Sequence, residues 1–436
     1  MKLQKTIKIK IGKLSKNKQN ILEVLLRKNT KAINFCLQKA KKGNIITHNL
    51  VYKDLRKLNL PATVIHGCRA KSVEIIKSFY KRKGKKTFPK LKNSRVRYDN
   101  QVVKLRKTDN KLYKYFVSLL YKAGVKGNSN NRIELPLILN SQYQTEILKN
   151  IGNEYKLGST ELVNKDRDYF IHISYSKDIE IPKPDETFNP IGIDVGIRNL
   201  AVVSVARQQP KFFSGKRIKW KRNFFFEQRR KLLMNFALQE VKRQRGRETK
   251  YLDAVNYNIA KQIVEMAKKT EKPAIVMEDL TGITKFKIWT KKGNRNLSNW
   301  AFRRLQNTIQ QKALWEGIPV EYIEPKDTTR TCSKCGTINK RKRDNYKCRK
   351  CGYEIHSDLN ATFNIRQFWL DKFQPEQATI NIASNDAISE PQAKKSGSLL
   401  CTSIKKNNGQ SVRNFKRKEV SIPPITKVMG ILEKVL

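Results

Sequence analysis

The amino-acid sequence predicts a multidomain α/β protein, and three observations support that prediction. The chain has 436 residues, a length typical of about three domains. Its first half mixes strand-like runs with amphipathic helical segments, and its second half alternates apolar strands with helices around a cysteine-rich segment. Hydrophobic residues make up 39% of the chain, which suffices for packed cores and excludes wholesale disorder.

The chain is strongly basic. It contains 92 Lys and Arg residues against 37 Asp and Glu residues, a formal net charge of +55. A surplus of this size predicts a polyanionic partner, because a nucleic-acid backbone can neutralise it. A small acidic substrate would not require so many positive charges.

The cysteine spacing and the absence of apolar runs predict an intracellular protein. Four of seven cysteines form two Cys-x-x-Cys pairs, while Cys36, Cys68 and Cys401 lie far apart, unlike a secreted disulfide framework. No signal-peptide pattern is present at the N-terminus, and no run approaches the roughly 18 apolar residues of a membrane span. We therefore expect a reduced, intracellular protein without membrane association.

The first half is predicted to be a small β-barrel with an inserted helical lobe. Residues 2–11 place apolar side chains on one strand face, with Lys5 as the exception. From about residue 16 to residue 122 the pattern is helical, apart from a basic loop around Pro89. Residues 131–182 return to short strand-like runs separated by polar turns.

The second half is predicted to contain a sheet covered by helices. Two apolar strands at 191–206 flank a tight turn, a third strand lies within 211–220, and a long basic helical region spans about 224–269. Next come, in order, a strand at 273–280, a helix at 299–317, a strand at 318–325, the cysteine-rich segment at 331–352 and a helix that begins near Asp358.

Two cysteine pairs predict a structural zinc site. The two Cys-x-x-Cys-Gly knuckles are separated by twelve residues and contain Cys332, Cys335, Cys348 and Cys351. The following glycines, Gly336 and Gly352, supply the backbone freedom that each tight turn needs. Four sulfur ligands close the coordination sphere of one Zn²⁺, so the spacing favours structural over catalytic zinc, and over four unrelated buried cysteines.

Three carboxylates predict a second metal site. Only four histidines are present, so metal-free general-base chemistry lacks its usual residue. Asp194 lies within the apolar strand IGIDVG, Glu278 ends the run AIVM, and Asp358 follows the cysteine-rich segment. A buried carboxylate is costly unless a cation neutralises it. For Asp194 or Glu278 alone, a structural ion pair with Lys or Arg explains the pattern equally well; the ordered set of three favours a metal.

The order of these elements is that of an RNase H-like (RuvC) fold: strand with Asp, hairpin, third strand, helix, strand with Glu, helix, strand, and Asp at a helix start. In that fold the three carboxylates converge at one end of the sheet. Oxygen ligands there can hold two Mg²⁺ ions about 4 Å apart, with Mn²⁺ as a possible substitute. Such a pair of ions supports in-line phosphodiester displacement without histidine.

Four motifs resemble those of TnpB proteins, the RuvC-like RNA-guided nucleases of bacterial and archaeal insertion sequences that are related to compact type V CRISPR effectors. The motifs are GIDVGIRNLAV (192–202), VMEDL (276–280), CSKCG…CRKCG and DLNATFNI (358–365). The resemblance covers roughly residues 190–370. It implies that Asp194, Glu278 and Asp358 are catalytic Mg²⁺ ligands and that the four cysteines hold one structural Zn²⁺ in a target-nucleic-acid-binding insertion.

One motif position departs from the family pattern. Family members commonly have Asn-Ala-Ala after the last aspartate, whereas this chain has Asn360-Ala361-Thr362. The departure leaves the expected ligand, Asp358, intact. Asn360 could orient the site by a hydrogen bond or be an ordinary helix-start residue.

The resemblance also implies a domain layout. The expected parts are a β-barrel wedge domain (1–15 and 126–186), a helical recognition domain (16–125), the RuvC nuclease domain (187–325 and 353–374), the zinc-ribbon insertion (326–352) and a flexible basic tail (375–436). The wedge and recognition domains would hold guide RNA and target DNA. The resemblance also implies a cytoplasmic, prokaryotic-type protein that is nucleoid-associated when bound to DNA.

A basic loop is the candidate contact to the nucleic-acid backbone. Its cations, interleaved with Phe88 and Tyr98, are Lys81, Arg82, Lys83, Lys85, Lys86, Lys90, Lys92, Arg95 and Arg97. A solvated basic surface explains this loop equally well. The tail carries a similar set: Lys405, Lys406, Arg413, Lys416, Arg417 and Lys418.

The favoured function is an RNA-guided, metal-dependent DNA endonuclease encoded by a transposable element, which cleaves phosphodiester bonds by a two-metal RuvC mechanism. A compact type V CRISPR effector would use the same chemistry, and the sequence does not separate the two. A catalytically weak RNA-guided DNA-binding protein and a transposition factor that joins strands are two further candidates. The sequence predicts no particular oligomeric state.

Overall fold

The strands assort into two large sheets and one small hairpin. The computed structural model describes residues 1–43, 45–82, 87–110, 112–124, 131–166, 168–281, 302–339 and 344–373. All of these residues belong to one compact unit, Met1–Ile388. Within the described ranges, no helix has the length and apolar character needed to cross a bilayer.

The first sheet is antiparallel and has seven strands. They are β1 (Lys2–Ile11), β2 (Val96–Tyr98), β3 (Lys104–Lys107), β4 (Tyr115–Leu120), β5 (Arg132–Ile138), β6 (Lys156–Lys165) and β7 (Asp168–Asp178), in the order β2-β6-β7-β1-β5-β4-β3. The Tyr98 hydroxyl of β2 donates to the Leu120 carbonyl of β4 at 3.0 Å, so the two ends of the sheet approach each other. Strand pairing across those ends is not found among the described residues, and the closed barrel stays a prediction.

Helices cover this sheet. They are α1 (Lys16–Lys41), α2 (His48–Arg56), α3 (Ala62–Lys81) and α4 (Gln142–Asn150). The Ser15 and Thr47 side chains accept hydrogen bonds from the first-turn backbone N–H groups of α1 and α2. Helix α4 was not predicted, because its nine residues lie between strand-like runs.

The helical prediction for residues 16–122 is correct for α1–α3, which end at Lys81, and the predicted basic loop around Pro89 follows them. The short strand β2 and a 3-10 turn at Asn100–Val102 lie at the end of that loop, and strands β3 and β4 take the place of the helix predicted after it. In β4, Tyr115, Val117 and Leu119 are buried and alternate with more exposed neighbours, which is a strand period. β4 pairs with β5, which begins at Arg132, so β4 forms a strand because of a partner outside its own segment.

The second sheet has five strands and follows the predicted order. They are β8 (Asn189–Asp194), β9 (Asn199–Ser204), β10 (Lys211–Ser214), β11 (Pro273–Glu278) and β12 (Val320–Ile323), in the order β10-β9-β8-β11-β12. β11 pairs in parallel with both β8 and β12, whereas β9 pairs antiparallel with β8 and β10.

Helices lie on both faces of the second sheet. They are α5 (Lys216–Met234), α6 (Leu238–Gln244), α7 (Arg247–Ala267), α8 (Phe302–Trp315) and α9 (Ser357–Leu370). One core joins β8 and β11 to α7 and α8, and a second core joins β11 and β12 to α9. The basic helical region predicted from residue 224 thus begins earlier, at Lys216, and comprises three helices.

Between β12 and α9 lies a small antiparallel hairpin, β13 (Asn345–Lys347) and β14 (Glu354–His356). It contains the second cysteine knuckle. The buried Tyr346 packs against Cys332 and Cys348 in a small core of its own.

Candidate active site and cysteine cluster

Asp194 and Glu278 lie side by side at the carboxyl ends of two parallel strands. The strand register pairs Ile193 of β8 with Met277 of β11, which brings the next residue of each strand to the same edge. Ile193 and Met277 belong to the core under α7 and α8. Since side chains alternate along a strand, Asp194 and Glu278 point to the opposite face, where α9 packs. Their exposed fractions are 9% and 8%.

Helix α9 brings the third carboxylate to this edge. It crosses β8 at Gly192, where an added Cβ would lie 2.2 Å from the Thr362 carbonyl oxygen, so only glycine permits the contact. Asp358 lies one turn before Thr362, while Asp194 lies two residues beyond Gly192. The Asn199 amide at the start of β9 donates to Asp358 Oδ2 at 3.0 Å. Asp358 is 7% exposed.

A buried threonine orients the glutamate. The Thr328 hydroxyl donates to Glu278 Oε1, and the Gln306 amide of α8 donates to the Glu278 carbonyl at 2.7 Å. Asp279, the next residue, is exposed and accepts from the backbone N–H of Thr281, and hydrogen bonds from Thr281 lower its pKa. Glu278 and Asp279 are therefore in different environments, and Glu278 is the one buried beside Asp194.

The three carboxylates do not form a tight single-ion cluster. Among the residues that the structure describes, the four cysteines are the one group of three or more metal-ligand side chains whose ligand atoms all lie within 4.8 Å. Three buried carboxylates at one sheet edge nevertheless offer the all-oxygen donors that Mg²⁺ prefers. A two-ion site does not require all three to meet at one point.

The cysteine cluster has the dimensions of a zinc site. Sγ atoms lie 3.7 Å apart in the pair Cys332–Cys351 and 3.5 Å apart in the pair Cys335–Cys348. Four sulfurs at about 2.3 Å from one zinc ion lie roughly 3.8 Å from each other. Gly336 and Gly352 both have φ of +72°, and each donates its N–H to the first cysteine of its knuckle. The residues thus fit one tetrahedral Zn²⁺.

Thiol ionisation in the cluster is uneven. Burial raises the pKa of Cys332 to about 12. At Cys335, burial acts in the same direction, but hydrogen bonds from Thr337 and neighbouring cysteines outweigh it and lower the pKa to about 6. A bound Zn²⁺ would hold all four as thiolates.

Two asparagines of α9 tie the first knuckle to the carboxylate edge. The Asn360 amide donates to the Thr331 carbonyl at 2.7 Å and accepts from the Ser333 N–H at 3.0 Å. The Asn364 amide donates to the carbonyls of Thr328 and Thr331. Asn360 is fully buried and belongs to this network, so it is more than an ordinary helix-start residue.

Some of these contacts were beyond the sequence-based predictions. Asn199 and Thr328, which bond Asp358 and Glu278, stand in the segments RNLAV and KDTTRT, and neither pattern distinguishes them from surface turns. Arg198 pairs with Asp344 and so links the turn after β8 to the hairpin. Only the folded arrangement identifies these three partners.

Two arginines of the basic loop pair with carboxylates. Arg95 and Arg97 both pair with Glu161, and Arg97 also pairs with Glu74 at 2.8 Å. Lys81, Arg82, Lys90 and Lys92 are exposed. Tyr98 is fully buried, and Phe88 packs on Phe79, so these aromatic residues support the fold. Lys83, Lys85, Lys86 and the basic tail residues lie outside the described residues.

Comparison with known proteins identifies the family. A TnpB-like protein of Aquifex aeolicus is 30% identical to the chain over 246 residues, which are 50% of this chain and 80% of that protein. The chain belongs to the TnpB-like proteins. The family resemblance inferred from the four motifs is thereby confirmed. A family model for the Cas12f1-like TNB domain also matches this TnpB-like chain at residues 302–365, from α8 through the cysteine cluster into α9.

Two further similarities are to CRISPR-associated proteins. The endodeoxyribonuclease Cas12f1 of Sulfoacidibacillus thermotolerans is 29% identical over 271 residues, which are 57% of the TnpB-like chain and 62% of the relative. A cryo-EM structure of a Cas12f1–sgRNA–target DNA complex superimposes with a TM-score of 0.59 over 84% of this chain and 99% of that one. Sequence identity there is 16%, so this similarity concerns the multidomain α/β fold.

Proposed function

We propose that this chain is an RNA-guided, divalent-metal-dependent DNA endonuclease of the TnpB type, encoded by a transposable element. One observation carries the proposal: Asp194, Glu278 and Asp358 are all buried, and strand register, the Gly192 crossing and the Asn199 bond direct them to one sheet edge. Bound metal ions would offset the free-energy cost of burying three carboxylates. The net charge of +55 suits a polyanionic substrate such as a nucleic acid.

The three carboxylates would hold two Mg²⁺ ions in a RuvC-type site. Magnesium, when bound, would supply activation of a water and stabilisation of the leaving oxygen of the phosphodiester. The protein's part is positioning. Asn199 orients Asp358, Thr328 orients Glu278, and the direct contact of α9 with Gly192 fixes the helix on the strand.

The cysteine cluster would hold one structural Zn²⁺ in an insertion that binds the target nucleic acid. The match of residues 302–365 to the Cas12f1-like TNB model supports this assignment, as do the sulfur distances. Because Asn360 and Asn364 bind the first knuckle, the zinc would also stabilise the position of α9.

The partners would be a guide RNA and a target DNA, since the structurally similar Cas12f1 was solved with both. Base pairing with the guide would select the target, while the basic protein holds the duplex through its backbone. The seven-stranded sheet with α1–α3 would act as the wedge and recognition domains. In the basic loop, the exposed Lys81, Arg82, Lys90 and Lys92 would serve backbone binding better than the paired Arg95 and Arg97.

A type V CRISPR effector is the second candidate, favoured by the 29% identity to Cas12f1. Both candidates use the same site and differ in the source of the RNA. Sequencing the DNA around the gene separates them: a repeat array supports the effector, and a transposon end supports the TnpB type.

The test is to purify the protein from cells that carry its native locus and to sequence the co-purified RNA. We expect one abundant RNA that ends in a variable segment, and Mg²⁺-dependent cuts in a DNA that matches this segment. A scatter of cellular RNA fragments with no guided cleavage would contradict the proposal. Joined rather than cut DNA products would point to a transposition factor.

A further inference from the structure

Helix α5 exposes two stacked aromatic rings. Trp220 and Phe224 are 63% and 39% exposed, and their ring centroids lie 5.8 Å apart with planes inclined by 19°. They are four positions apart in the sequence, so they occupy the same helix face. We call Trp220 and Phe224 the stacking pair. Large aromatic residues exposed together on a charged helix indicate a binding surface rather than a core.

Positive charge surrounds the stacking pair. The Lys221 ammonium lies 4.6 Å from the Phe224 centroid and 5.7 Å from the Trp220 centroid. Lys216, Arg217 and Lys219 precede the pair and are exposed, and the first turn of α5 contains no acidic residue. The surface therefore combines flat apolar rings with cations.

The opposite side of α5 is already used for packing. Ile218 is buried, the Phe225 ring packs against Tyr251 of α7 at 6.4 Å, and Arg222 and Arg229 both pair with Glu248 of α7. These contacts fix the rotation of the helix. Trp220 and Phe224 consequently face away from α7, and the fold of the second sheet does not require them.

The stacking pair is near the carboxylate edge. Ser214, the last residue of β10, pairs with Asn199, whose amide bonds Asp358. The Gly215 N–H then donates to the Arg198 carbonyl at 2.6 Å, in the turn that follows Asp194. Helix α5 thus begins at that edge, and Trp220 lies about 7.5 Å along the helix axis from Gly215.

We propose that the stacking pair binds unpaired bases of a nucleic-acid single strand that leads to the carboxylate edge. Base faces stack on aromatic rings without sequence preference, and neighbouring lysines and arginines neutralise the phosphates. A duplex hides its base faces, so the pair discriminates single strands from duplexes. The direction of the strand toward the carboxylates rests on the proposed nuclease function; the binding itself does not.

Charge favours nucleic acid over a second copy of this chain as the occupant. A copy would bring further positive charge to a surface that already holds Lys216, Arg217 and Lys221, in a chain of net charge +55. A single strand brings both the negative charge and the flat rings that this surface complements.

The test measures equilibrium binding of the full chain to oligothymidylate, oligouridylate and a DNA duplex of equal length, at salt high enough to weaken contacts made by charge alone. Trp220→Leu keeps an apolar, helix-favouring side chain but removes the ring, and Trp220→Phe keeps a ring. We expect Trp220→Leu to weaken single-strand binding by about 5- to 100-fold, the loss of one stacked base, and Trp220→Phe to retain most of it. Duplex binding should be equal in all three proteins.

Unchanged single-strand binding by Trp220→Leu would overturn the proposal, as would equal losses for single strands and duplex. Dissociation of a wild-type dimer by Trp220→Leu in sedimentation, with unchanged binding, would assign the surface to self-association instead. A preference for oligothymidylate would support a DNA strand as the occupant, and a preference for oligouridylate an RNA strand. Asp194→Ala separates the two proposals. Cleavage by that variant would contradict the nuclease site. Weaker single-strand binding when Trp220→Leu is added to Asp194→Ala would still support the stacking pair.

Discussion

The side-chain amide of Asn360 donates to the backbone carbonyl of Thr331 at 2.7 Å, from the first turn of α9 to the start of the first cysteine knuckle. Asp358 stands two residues before Asn360 in the same turn. The cysteine cluster and one of the three carboxylates are therefore held by a single rigid element. A structural change in the cysteine cluster should therefore alter the position of Asp358, and a change in the first turn of α9 should alter the cluster.

Replacement of Asn360 by alanine should destabilise the protein. It would leave the buried Ser333 N–H without its partner, while the Thr331 carbonyl keeps its bond from Asn364, at a cost of about 1–3 kcal/mol in the free energy of unfolding. Chemical denaturation of the zinc-loaded protein measures this. The control is Asn345→Ala, an exposed asparagine of the hairpin, which should change stability by less than about 0.5 kcal/mol. Equal effects of the two variants would contradict the role assigned to Asn360.

The adjacent acids Glu278 and Asp279 should differ sharply in their importance for cleavage. Glu278→Gln removes a buried charge at the carboxylate edge and should abolish metal-dependent cleavage, whereas the exposed Asp279→Asn should remain within a few-fold of wild type. Initial cleavage rates measured with matched RNA and DNA test the pair. Loss of activity in Asp279→Asn with a functional Glu278→Gln would reverse the assignment.

Zinc removal should unfold the cysteine-rich segment, because the metal supplies its folding free energy. We expect metal analysis to find about one zinc ion per chain, the stoichiometry of a four-sulfur site. Cys335→Ser or a strong chelator should expose residues 331–352 to proteolysis. The control is Cys68→Ala, which changes a buried thiol of the first core and should leave the zinc content intact. A zinc content well below one ion in the wild type would contradict this site.

Lys5 should make stability rise with pH. Its ammonium lies 3.7 Å from the Trp315 ring centroid, and burial, with the charge of Lys312, lowers its pKa from 10.5 to about 8. The unfolded chain binds this proton more tightly than the folded chain, so the free energy of unfolding rises between about pH 8 and pH 10.5 and is lowest below pH 8.

Comparison of the wild type with Lys5→Met isolates this effect from other groups that titrate at high pH. Because Lys5 is partly exposed, solvent screening reduces the gain expected from Lys5→Met at pH 7 to about 1 kcal/mol. The gain should shrink as pH rises toward 10. A difference that stays constant with pH would show that the Lys5 proton is not involved.

The second sheet could be predicted from the sequence because its central strands are continuous apolar runs. β8 and β11 are buried on both faces, so each appears as an uninterrupted run that ends in its carboxylate. Strand β2 has three residues and lies in the predicted basic loop, and β3 has four residues, so neither has a local pattern long enough to predict a strand. Strand β2 pairs with β6, which is distant in the chain, whereas β3 pairs with the nearby β4 in a hairpin, so each needs a partner outside its own segment.

The candidate site likewise combines residues that a local sequence pattern indicates with residues that only the fold brings together. Asp194, Glu278 and Asp358 could be proposed because an acidic residue at the end of an apolar strand, or after a metal motif, is unusual. Asn199 and Thr328 are polar residues in turns, where such residues are common. Their hydrogen bonds to Asp358 and Glu278 depend on the approach of distant segments, which local sequence does not encode.

The most direct test of the nuclease assignment compares the wild type with Asp194→Ala, each loaded with the RNA that co-purifies from the native locus. Cleavage of a matching DNA is followed with Mg²⁺ and with a chelator, and binding of the same DNA is measured in parallel. We predict Mg²⁺-dependent cleavage by the wild type, none by Asp194→Ala, and nearly equal DNA binding by both proteins. Cleavage by Asp194→Ala, or wild-type cleavage that persists in the chelator, would contradict the central claim that this carboxylate edge is a metal-dependent nuclease site.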